Sequence, residues 1–353
     1  MKLLLLTLGI LCPTFTFAQE PGLDNVLTGY TDEYGFNGTI LVQRKDSILH
    51  FKGYGHANME FNVPNRPETK YRIASITKLF TSVLVYKSIE DGKMRLDKTI
   101  GTYLPEYTGE GRNVVTIHHL LTSTSGIRNI ESNGDTVYEK RLSSDEILAQ
   151  YCSGPLVSEP GKKFTYNNAD YVILGKILER VHGQTFKKIL ETELLIPLHM
   201  EGTGLFDYGI VEGLAQCYWR NEQTGVLERD IPYFVENYHA SGGMYSNALD
   251  LLKFSDALFG YEIIYKKTLD TLLKTDKETT DFEHYASGVW SFSDDAPRIS
   301  KRKGVSRPGN IWGTETLLFR FPAEEISIII LSNAMGTTEL WELFRKIRSM
   351  IME

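Results

Sequence analysis

Hydrophobic and polar residues alternate with a short period near both ends of the chain, which predicts β-strands there. Residues 39–44 and 47–54 are two such runs, and the polar pair Lys45-Asp46 between them predicts a β-hairpin. Three further runs of strand character lie near the end, at residues 286–292, 314–321 and 326–331. The last run is almost continuously apolar, which favours a central position in a sheet.

Between these runs the apolar positions follow a helical period. The clearest helical segment covers residues 76–91, and a second covers residues 169–181 and ends before Gly183. Further helices are predicted at residues 22–34, at residues 248–259 and in a closing amphipathic segment over residues 340–351.

This order of elements predicts an α/β (α+β) fold. An antiparallel sheet is built from both termini and flanked by helices, and a mainly helical domain is inserted between its two halves. The sheet part is expected to comprise residues of about 19–62 and 285–353, and the helical part residues of about 63–284.

The first 18 residues have the three zones of a secretory signal peptide. Lys2 supplies the positive charge, residues 3–11 form the apolar core, and Thr16 and Ala18 suit cleavage before Gln19. We therefore expect an exported protein, periplasmic or secreted. No later segment is apolar and long enough to predict stable insertion into a membrane after the signal is removed.

Charge and composition exclude several classes of function. The formal net charge of −7 argues against a nucleic-acid partner, because phosphate binding needs a basic surface. The sequence contains neither an H-E-x-x-H nor a C-x-x-C pattern, so no metal or other cofactor is predicted. Removal of the signal leaves two cysteines, Cys152 and Cys217, and both a disulfide and two free buried thiols remain open.

The first candidate for chemistry is Ser75, at the start of the predicted helix 76–91. Lys78 follows three residues later, so both side chains share one face of the helix. A serine beside a base and near backbone N–H donors can act as a nucleophile. The alternative is a capping serine followed by a surface lysine. The same spacing recurs at Ser300 and Lys303 without a helical pattern behind it.

The second candidate is the segment Tyr166-Asn167-Asn168, just before a helix. A tyrosine near two cations loses its proton more easily and can then relay protons. The alternative is a packed tyrosine beside a helix cap formed by Asn168. A second copy of the pattern, Tyr245-Ser246-Asn247, also precedes a helix.

The third candidate is Arg307-Pro308-Gly309. Gly309 lets a substrate approach the backbone of an edge strand, and the Arg307 guanidinium can bind a carboxylate through two hydrogen bonds. The alternative is a polar loop, or an arginine that pairs with a carboxylate of the protein.

Together the three segments resemble the S-x-x-K, Y-x-N and K-T-G-like motifs of serine β-lactamases and penicillin-binding proteins. The Y-x-N form is similar to that of the class C β-lactamases and their relatives, which include D,D-carboxypeptidases, D-aminopeptidases and esterases. Longer stretches carry the same resemblance over nearly the whole mature chain: residues 36–42, 115–126, 164–183 and 241–244.

Three positions depart from the pattern of that family. Ser123 stands where the family has histidine, and Asn167 stands where serine is common. Arg307 replaces the lysine or histidine of the triplet, in a register counted back from Phe321 with Gly313 matching a second family glycine. Arginine stays protonated, so it can hold a carboxylate but cannot shuttle protons.

The resemblance implies an acyl-enzyme mechanism without a cofactor. Ser75 is expected to attack a carbonyl, Lys78 and Tyr166 to share the proton transfers, and Asn168 to hydrogen-bond either the substrate or Lys78. The backbone N–H groups of Ser75 and Asn310 are expected to form the oxyanion hole.

Arg307 and Gly309 are expected to contact the substrate. That substrate is a small molecule or a peptide, including cell-wall fragments, with an amide, ester or β-lactam bond. The alternative is a penicillin-binding sensor, or a binding module of the same fold with impaired catalysis.

Overall fold

The computed structural model describes residues 16–18, 20, 22–132, 134–275, 277–278, 284–292 and 302–352. Its strands are numbered in chain order: β1 Thr16–Phe17, β2 Gly38–Arg44, β3 Ser47–Tyr54, β4 His56–Asn58, β5 Val63–Pro64, β6 Tyr71–Arg72, β7 Gly204–Leu205, β8 Tyr218–Arg220, β9 Leu227–Arg229, β10 Met244–Ser246, β11 Lys277–Glu278, β12 His284–Tyr285, β13 Trp290–Phe292, β14 Gly304–Ile311, β15 Thr314–Phe321, β16 Ile326–Ser332 and β17 Ala334–Met335.

The α-helices, in the same order, are α1 Leu23–Tyr34, α2 Thr77–Glu90, α3 Ile100–Tyr103, α4 Ile117–Leu121, α5 Ser144–Tyr151, α6 Asn168–His182, α7 Phe186–Leu190, α8 Ala248–Phe259, α9 Lys266–Leu272 and α10 Leu340–Met352. Turns of 3₁₀ helix cover Ala74–Ile76, Glu110–Asn113, Asp135–Tyr138 and Val235–Ser241, and Glu191–Leu195 is a π-helical turn.

Both ends of the chain contribute to one large sheet. Within the described residues its strand order is β1-β3-β2-β16-β15-β14-β13-β12-β11, and every pair except β1–β3 is antiparallel. Each residue of β16 is buried, as expected of a central strand covered on both faces. The predicted hairpin and the predicted antiparallel sheet built from both termini are confirmed.

The two faces of the sheet bury two separate apolar cores. On one face, α1 and α10 cover alternate residues of the central strands, such as Ile328 and Ile330. On the other face, Ile329 and Leu331 contribute to a larger core shared with α2, α6 and α8. Because successive side chains of a strand point to opposite faces of the sheet, each central strand contributes residues to both cores.

The middle of the chain is mainly helical but contains short strands. β6, β10 and β7 form one small sheet, and β17, β8 and β9 form another. The large sheet also takes in β11 and the first residue of β12, which the expected boundary at residue 285 placed in the helical part. The division into residues of about 19–62, 63–284 and 285–353 remains a prediction.

The predicted strand over residues 286–292 is wrong for its first four residues. Ala286 N donates to Val289 O at 2.9 Å, and Gly288 has a φ of +82°. This tight turn separates β12 from β13, because glycine adopts a positive φ without steric cost. The other predicted helices and strands match the structure to within about one residue at each end, the usual uncertainty of such boundaries.

The predicted signal peptide lies mostly outside the described residues. Its last residues are described, and Thr16–Phe17 forms β1 along the edge of β3. No helix among the described residues is long and apolar enough to cross a membrane. Cys152 and Cys217 are both buried and not bonded to each other, so the structure has two free thiols at these positions.

Candidate active site

Ser75 lies on a sharp connection between β6 and α2. Ile73 N donates to Met244 O, and Ala74 then adopts a φ of +47°, which is rare for a residue with a side chain. The 3₁₀ turn Ala74–Ile76 leads directly into α2. The geometry leaves the Ser75 side chain half-buried rather than used as a helix cap.

Two polar side chains converge on the Ser75 oxygen. Lys78 Nζ donates to Ser75 Oγ at 3.2 Å, one helical turn away, and Tyr166 OH lies 2.9 Å from the same atom. The structure thus brings together the three residues that the sequence assigned to catalysis. A hydroxyl held between an amine and a phenol is arranged for transfer of its proton to a neighbouring base.

Lys78 is fully buried and makes two further hydrogen bonds. Its Nζ donates to Asn168 Oδ1 at 2.5 Å and to Ser241 O at 2.7 Å. Burial lowers the pKa of Lys78 from its ordinary value, and the nearby charge of Arg307 lowers it further. The amine therefore loses its proton more readily than a surface lysine does.

Tyr166 lies in an aromatic pocket between two cations. Its ring stacks at 5.9 Å on Trp290 and meets the edge of Tyr285 at 6.1 Å. Burial alone would raise the pKa of Tyr166, but the charges of Arg307 and Lys78 outweigh it and lower the pKa to about 8. The phenolate is therefore accessible near neutral pH, as the expected position near two cations implied.

Arg307 is buried behind the nucleophile, with only 1% of its surface exposed. Its Nε donates to Ser75 O at 2.6 Å, and its Nη2 donates to Tyr166 OH at 2.5 Å. The guanidinium also lies 4.9 Å from the centre of the Trp290 ring. Within the described residues its polar partners are thus a carbonyl and a phenol, and Nη1 has none. Its role in binding a substrate carboxylate remains a prediction.

Gly309 lets β14 approach the backbone of Ser75. A Cβ atom at this position would lie 2.5 Å from Ile73 O and 3.0 Å from Ser75 N, closer than side chains tolerate. Asn310 follows as an exposed residue on the same strand. The absence of a side chain at Gly309 therefore allows the strand to lie directly beside Ser75 N, the backbone nitrogen that the resemblance assigns to the oxyanion hole.

The strand that carries Gly309 has an open edge. Among the described residues, β13 pairs with β14 only as far as Ser306, which lies opposite Trp290. Residues 307–311 pair on their other side, with β15. Pro308, which has no N–H group, is compatible with such an edge. The open backbone can accept an extended substrate.

The loop before the Tyr166 motif holds that motif in place. Asn167 caps α6, accepting from Ala169 N at 2.8 Å, and its Nδ2 donates to Ile127 O at 2.6 Å. The cap is therefore Asn167 rather than Asn168. Ser123, which stands where the family has histidine, accepts from Thr165 N at 2.9 Å through its carbonyl oxygen.

Several contacts of the site were not predicted from the sequence. The carbonyl of Ser241 and the rings of Tyr285 and Trp290 come from distant segments that carry no local chemical signal. Glu131, which accepts from Asn168 Nδ2 at 2.6 Å, was not singled out in the sequence either. The family landmark at residues 241–244 was the one available hint to this part of the site.

The second copy of the tyrosine motif is not part of the site. Tyr245 lies in β10, where it pairs with Arg72 and Gly204, and Asn247 caps α8. Ser300 lies outside the described residues. Among the described residues no group of three or more His, Cys, Asp or Glu side chains could hold a metal ion.

Comparison with known proteins identifies the family to which the chain belongs. The family model described as "Beta-lactamase" matches residues 23–347, which is most of the chain. The chain belongs to the beta-lactamase family. The resemblance to serine β-lactamases that was drawn from the motifs is therefore confirmed.

Relatives of this beta-lactamase family member include penicillin-binding proteins. "Putative penicillin-binding protein PbpX" of Bacillus subtilis is 24% identical over 326 residues, which are 92% of this chain and 78% of that protein. The crystal structure of a penicillin-binding protein from Bacillus halodurans has a TM-score of 0.80 at 25% identity and covers 92% of this chain and 99% of that one. A D-amino acid amidase from Ochrobactrum anthropi shares the fold, with a TM-score of 0.80 at 20% identity over 93% of this chain and 98% of its own.

Proposed function

We propose that the protein is an exported hydrolase in which Ser75 attacks an amide or ester carbonyl and forms an acyl-enzyme. The observation that carries this proposal is the convergence of Lys78 Nζ and Tyr166 OH on Ser75 Oγ, at 3.2 and 2.9 Å. A serine with a purely structural role, such as a helix cap, would not need an amine and a phenol around its oxygen.

Tyr166 is the stronger candidate for the first general base. The Lys78 amine donates to three oxygen acceptors, those of Ser75, Asn168 and Ser241, which matches the three donors of an ammonium. Tyr166 OH donates to Ser75 Oγ and accepts from Arg307 Nη2, so the guanidinium stabilises the phenolate once the hydroxyl proton is lost. The phenolate takes the serine proton during attack and returns it to the leaving group, and Lys78 keeps the charge of the site balanced.

The backbone of Ser75 and the open edge of β14 would bind the reacting group. The N–H groups of Ser75 and Asn310 are proposed to hold the developing oxyanion, supported by the close approach of Gly309 to Ser75 N. A peptide-like substrate would extend along residues 307–311 as an added strand, because one side of this segment has no strand partner among the described residues.

The substrate class is proposed from the edge strand and from the relatives. An extended peptide or a β-lactam matches the strand geometry, and relatives named as penicillin-binding proteins cover most of the chain. We therefore propose a small-molecule or peptide substrate related to the cell wall.

Export is proposed from the composition of the first 18 residues alone. Expression of the full chain in a bacterial host should give a protein in the periplasm or medium that begins at Gln19. Mass spectrometry of the N-terminal peptide measures this, and a cytoplasmic protein that retains Met1 or Lys2 would contradict it.

A parallel assay on the purified protein tests the proposed function. A β-lactam, a peptide ending in D-amino acids and a short-chain ester are each offered to the wild type and to Ser75→Ala. Turnover of at least one class, abolished in the variant, is the expected result. Stable acylation of Ser75 without turnover of any class would instead support a penicillin-binding sensor.

A further inference from the structure

The side-chain amide of Asn168 lies between two groups of opposite charge. Its Oδ1 accepts from Lys78 Nζ at 2.5 Å, and its Nδ2 donates to Glu131 Oε1 at 2.6 Å. An ammonium only donates hydrogen bonds and a carboxylate only accepts them. The amide therefore has one orientation that satisfies both neighbours, with its oxygen toward Lys78.

Glu131 is itself fixed by the protein. Tyr138 OH donates to Glu131 Oε1 at 2.5 Å, and burial raises the pKa of Tyr138 so that it stays a neutral donor. The loop that carries Glu131 makes a second contact with α6, because Asn168 N donates to Asn129 Oδ1 at 2.8 Å. The second carboxylate oxygen, Oε2, is buried and has no partner within the described part of the chain.

We propose that Glu131 is a positioning residue that orients the Asn168 amide and, through it, holds Lys78 on Ser75. In this arrangement Asn168 serves Lys78 rather than the substrate, since both ends of its amide are occupied. The consequence for turnover rests on the proposed function, whereas the arrangement of the three side chains does not.

The negative charge of Glu131 also acts on the pKa of Lys78. The titratable and charged groups that face Lys78 from the surrounding elements are Tyr166, Tyr171, Asp170, Arg307 and Glu131. Arg307 disfavours the protonated amine, and the negative charge of Glu131 favours it. Removing that negative charge should therefore lower the pKa of Lys78.

The test compares Glu131→Gln with Glu139→Gln, an exposed glutamate of the same segment. Glutamine keeps an acceptor oxygen for Asn168 and Tyr138 but removes the charge. NMR titration of the Lys78 ammonium, assigned with Lys78→Ala, reads the effect without any substrate. We expect the pKa of Lys78 to fall in Glu131→Gln, because a favourable negative charge is lost, and to stay unchanged in Glu139→Gln.

Kinetics on a substrate that the wild type turns over supply the second measurement. In Glu131→Gln the basic limb of kcat/KM, which reports loss of the Lys78 proton, should move to lower pH with the pKa of Lys78. In Glu131→Ala the amide loses its acceptor, and kcat should fall about 10- to 100-fold with little change in KM.

The outcomes separate the two proposals. A Lys78 pKa that is the same in Glu131→Gln, in Glu131→Ala and in the wild type overturns the positioning role, whatever the activity. A lowered Lys78 pKa in a protein that turns over no substrate supports the positioning role and leaves the proposed function contradicted.

Discussion

At the scale of single residues, Tyr166 is the side chain whose chemistry depends most on its neighbours. Its hydroxyl lies 2.9 Å from Ser75 Oγ and accepts from Arg307 Nη2. Both neighbours come from segments distant in the sequence, and both act on the same phenol oxygen. Replacing this one atom separates a catalytic role from a packing role, because the ring and its aromatic contacts remain.

We predict that Tyr166→Phe lowers kcat by about 10²–10⁴-fold, the usual effect of losing one proton-transfer group. Tyr245→Phe is the matched control, since Tyr245 carries the same local motif but lies in β10. Steady-state kinetics on both variants measure the difference. Equal activity of the two variants would contradict the assignment of Tyr166.

The charge of Arg307 should control the pH dependence of activity. Arg307 lowers the pKa values of both Tyr166 and Lys78, so the neutral variant Arg307→Gln should raise both. The form with a deprotonated base then appears at higher pH, and the acidic limb of kcat/KM moves upward from about pH 8. Arg307→Lys keeps the charge and should leave the limb closer to that of the wild type.

The same variants distinguish two roles of Arg307. Its contacts with Ser75 and Tyr166 predict equal losses on neutral and carboxylate-bearing substrates. Binding of a substrate carboxylate predicts a selective loss on the second class, of about 10-fold or more. Specificity constants of Arg307→Gln on a matched pair of esters decide between the two roles.

Some contacts among the site residues could be predicted from the sequence, and others could not. Ser75 and Lys78 could be paired because their spacing is local to one helix. Arg307 could be placed in the site only through the family register, and its burial against Tyr166 could not be predicted. The contact between Glu131 and Asn168 joins two loops, and no local pattern marks such a pair.

At the scale of elements, α6 joins the active site to the core of the middle section. Asp170 lies on its first turn, fully buried, and accepts from Ser125 Oγ at 2.6 Å. Burial raises the pKa of Asp170 well above its ordinary value. The native state therefore keeps this proton at pH values where the unfolded chain has lost it.

This raised pKa predicts how the stability of the wild type changes with pH. Between the unfolded pKa of Asp170 and its higher native pKa, the native state binds more protons, so stability falls as pH rises. The slope from this group is at most about 1.4 kcal/mol per pH unit. Asp170→Asn removes the titration while keeping the size of the side chain.

We predict that the free energy of unfolding of Asp170→Asn, relative to wild type, rises between pH 5 and pH 8. Urea denaturation of both proteins at the two pH values measures the change. A difference in stability between the two proteins that stays constant over this interval would show that Asp170 is ionised in the folded protein.

Helices and strands with a long run of apolar residues were easier to predict from the sequence than short ones. Helices α2, α6 and α8 and the central strand β16 are rich in apolar residues that the structure buries, and all four were predicted from those residues. The 286–289 turn was missed because Ala286 and Val289 extend the apolar run, while the conformation is set by Gly288. The short strands β6, β7 and β10 contain two or three residues, too few to show a period.

At the scale of the whole molecule, the sheet and the middle section meet at the site. Ser75 lies at the start of α2, Tyr166 and Asn168 lie at the start of α6, and Arg307 and Gly309 lie on β14 of the large sheet. More than 200 residues separate Ser75 from Arg307 (|i−j| = 232), yet Arg307 Nε contacts Ser75 O. The architecture followed from the order of strands and helices, but this juxtaposition required the three-dimensional structure.

Every step of the proposed reaction depends on acylation of Ser75. The most direct measurement is intact-protein mass spectrometry after incubation with a fluorophosphonate, followed by peptide mapping, on the wild type, Ser75→Ala and Ser300→Ala. We expect one added phosphonyl group on Ser75 in the wild type and in Ser300→Ala, and none in Ser75→Ala. Labelling that persists in Ser75→Ala, or that maps to Ser300 in the wild type, would contradict this expectation.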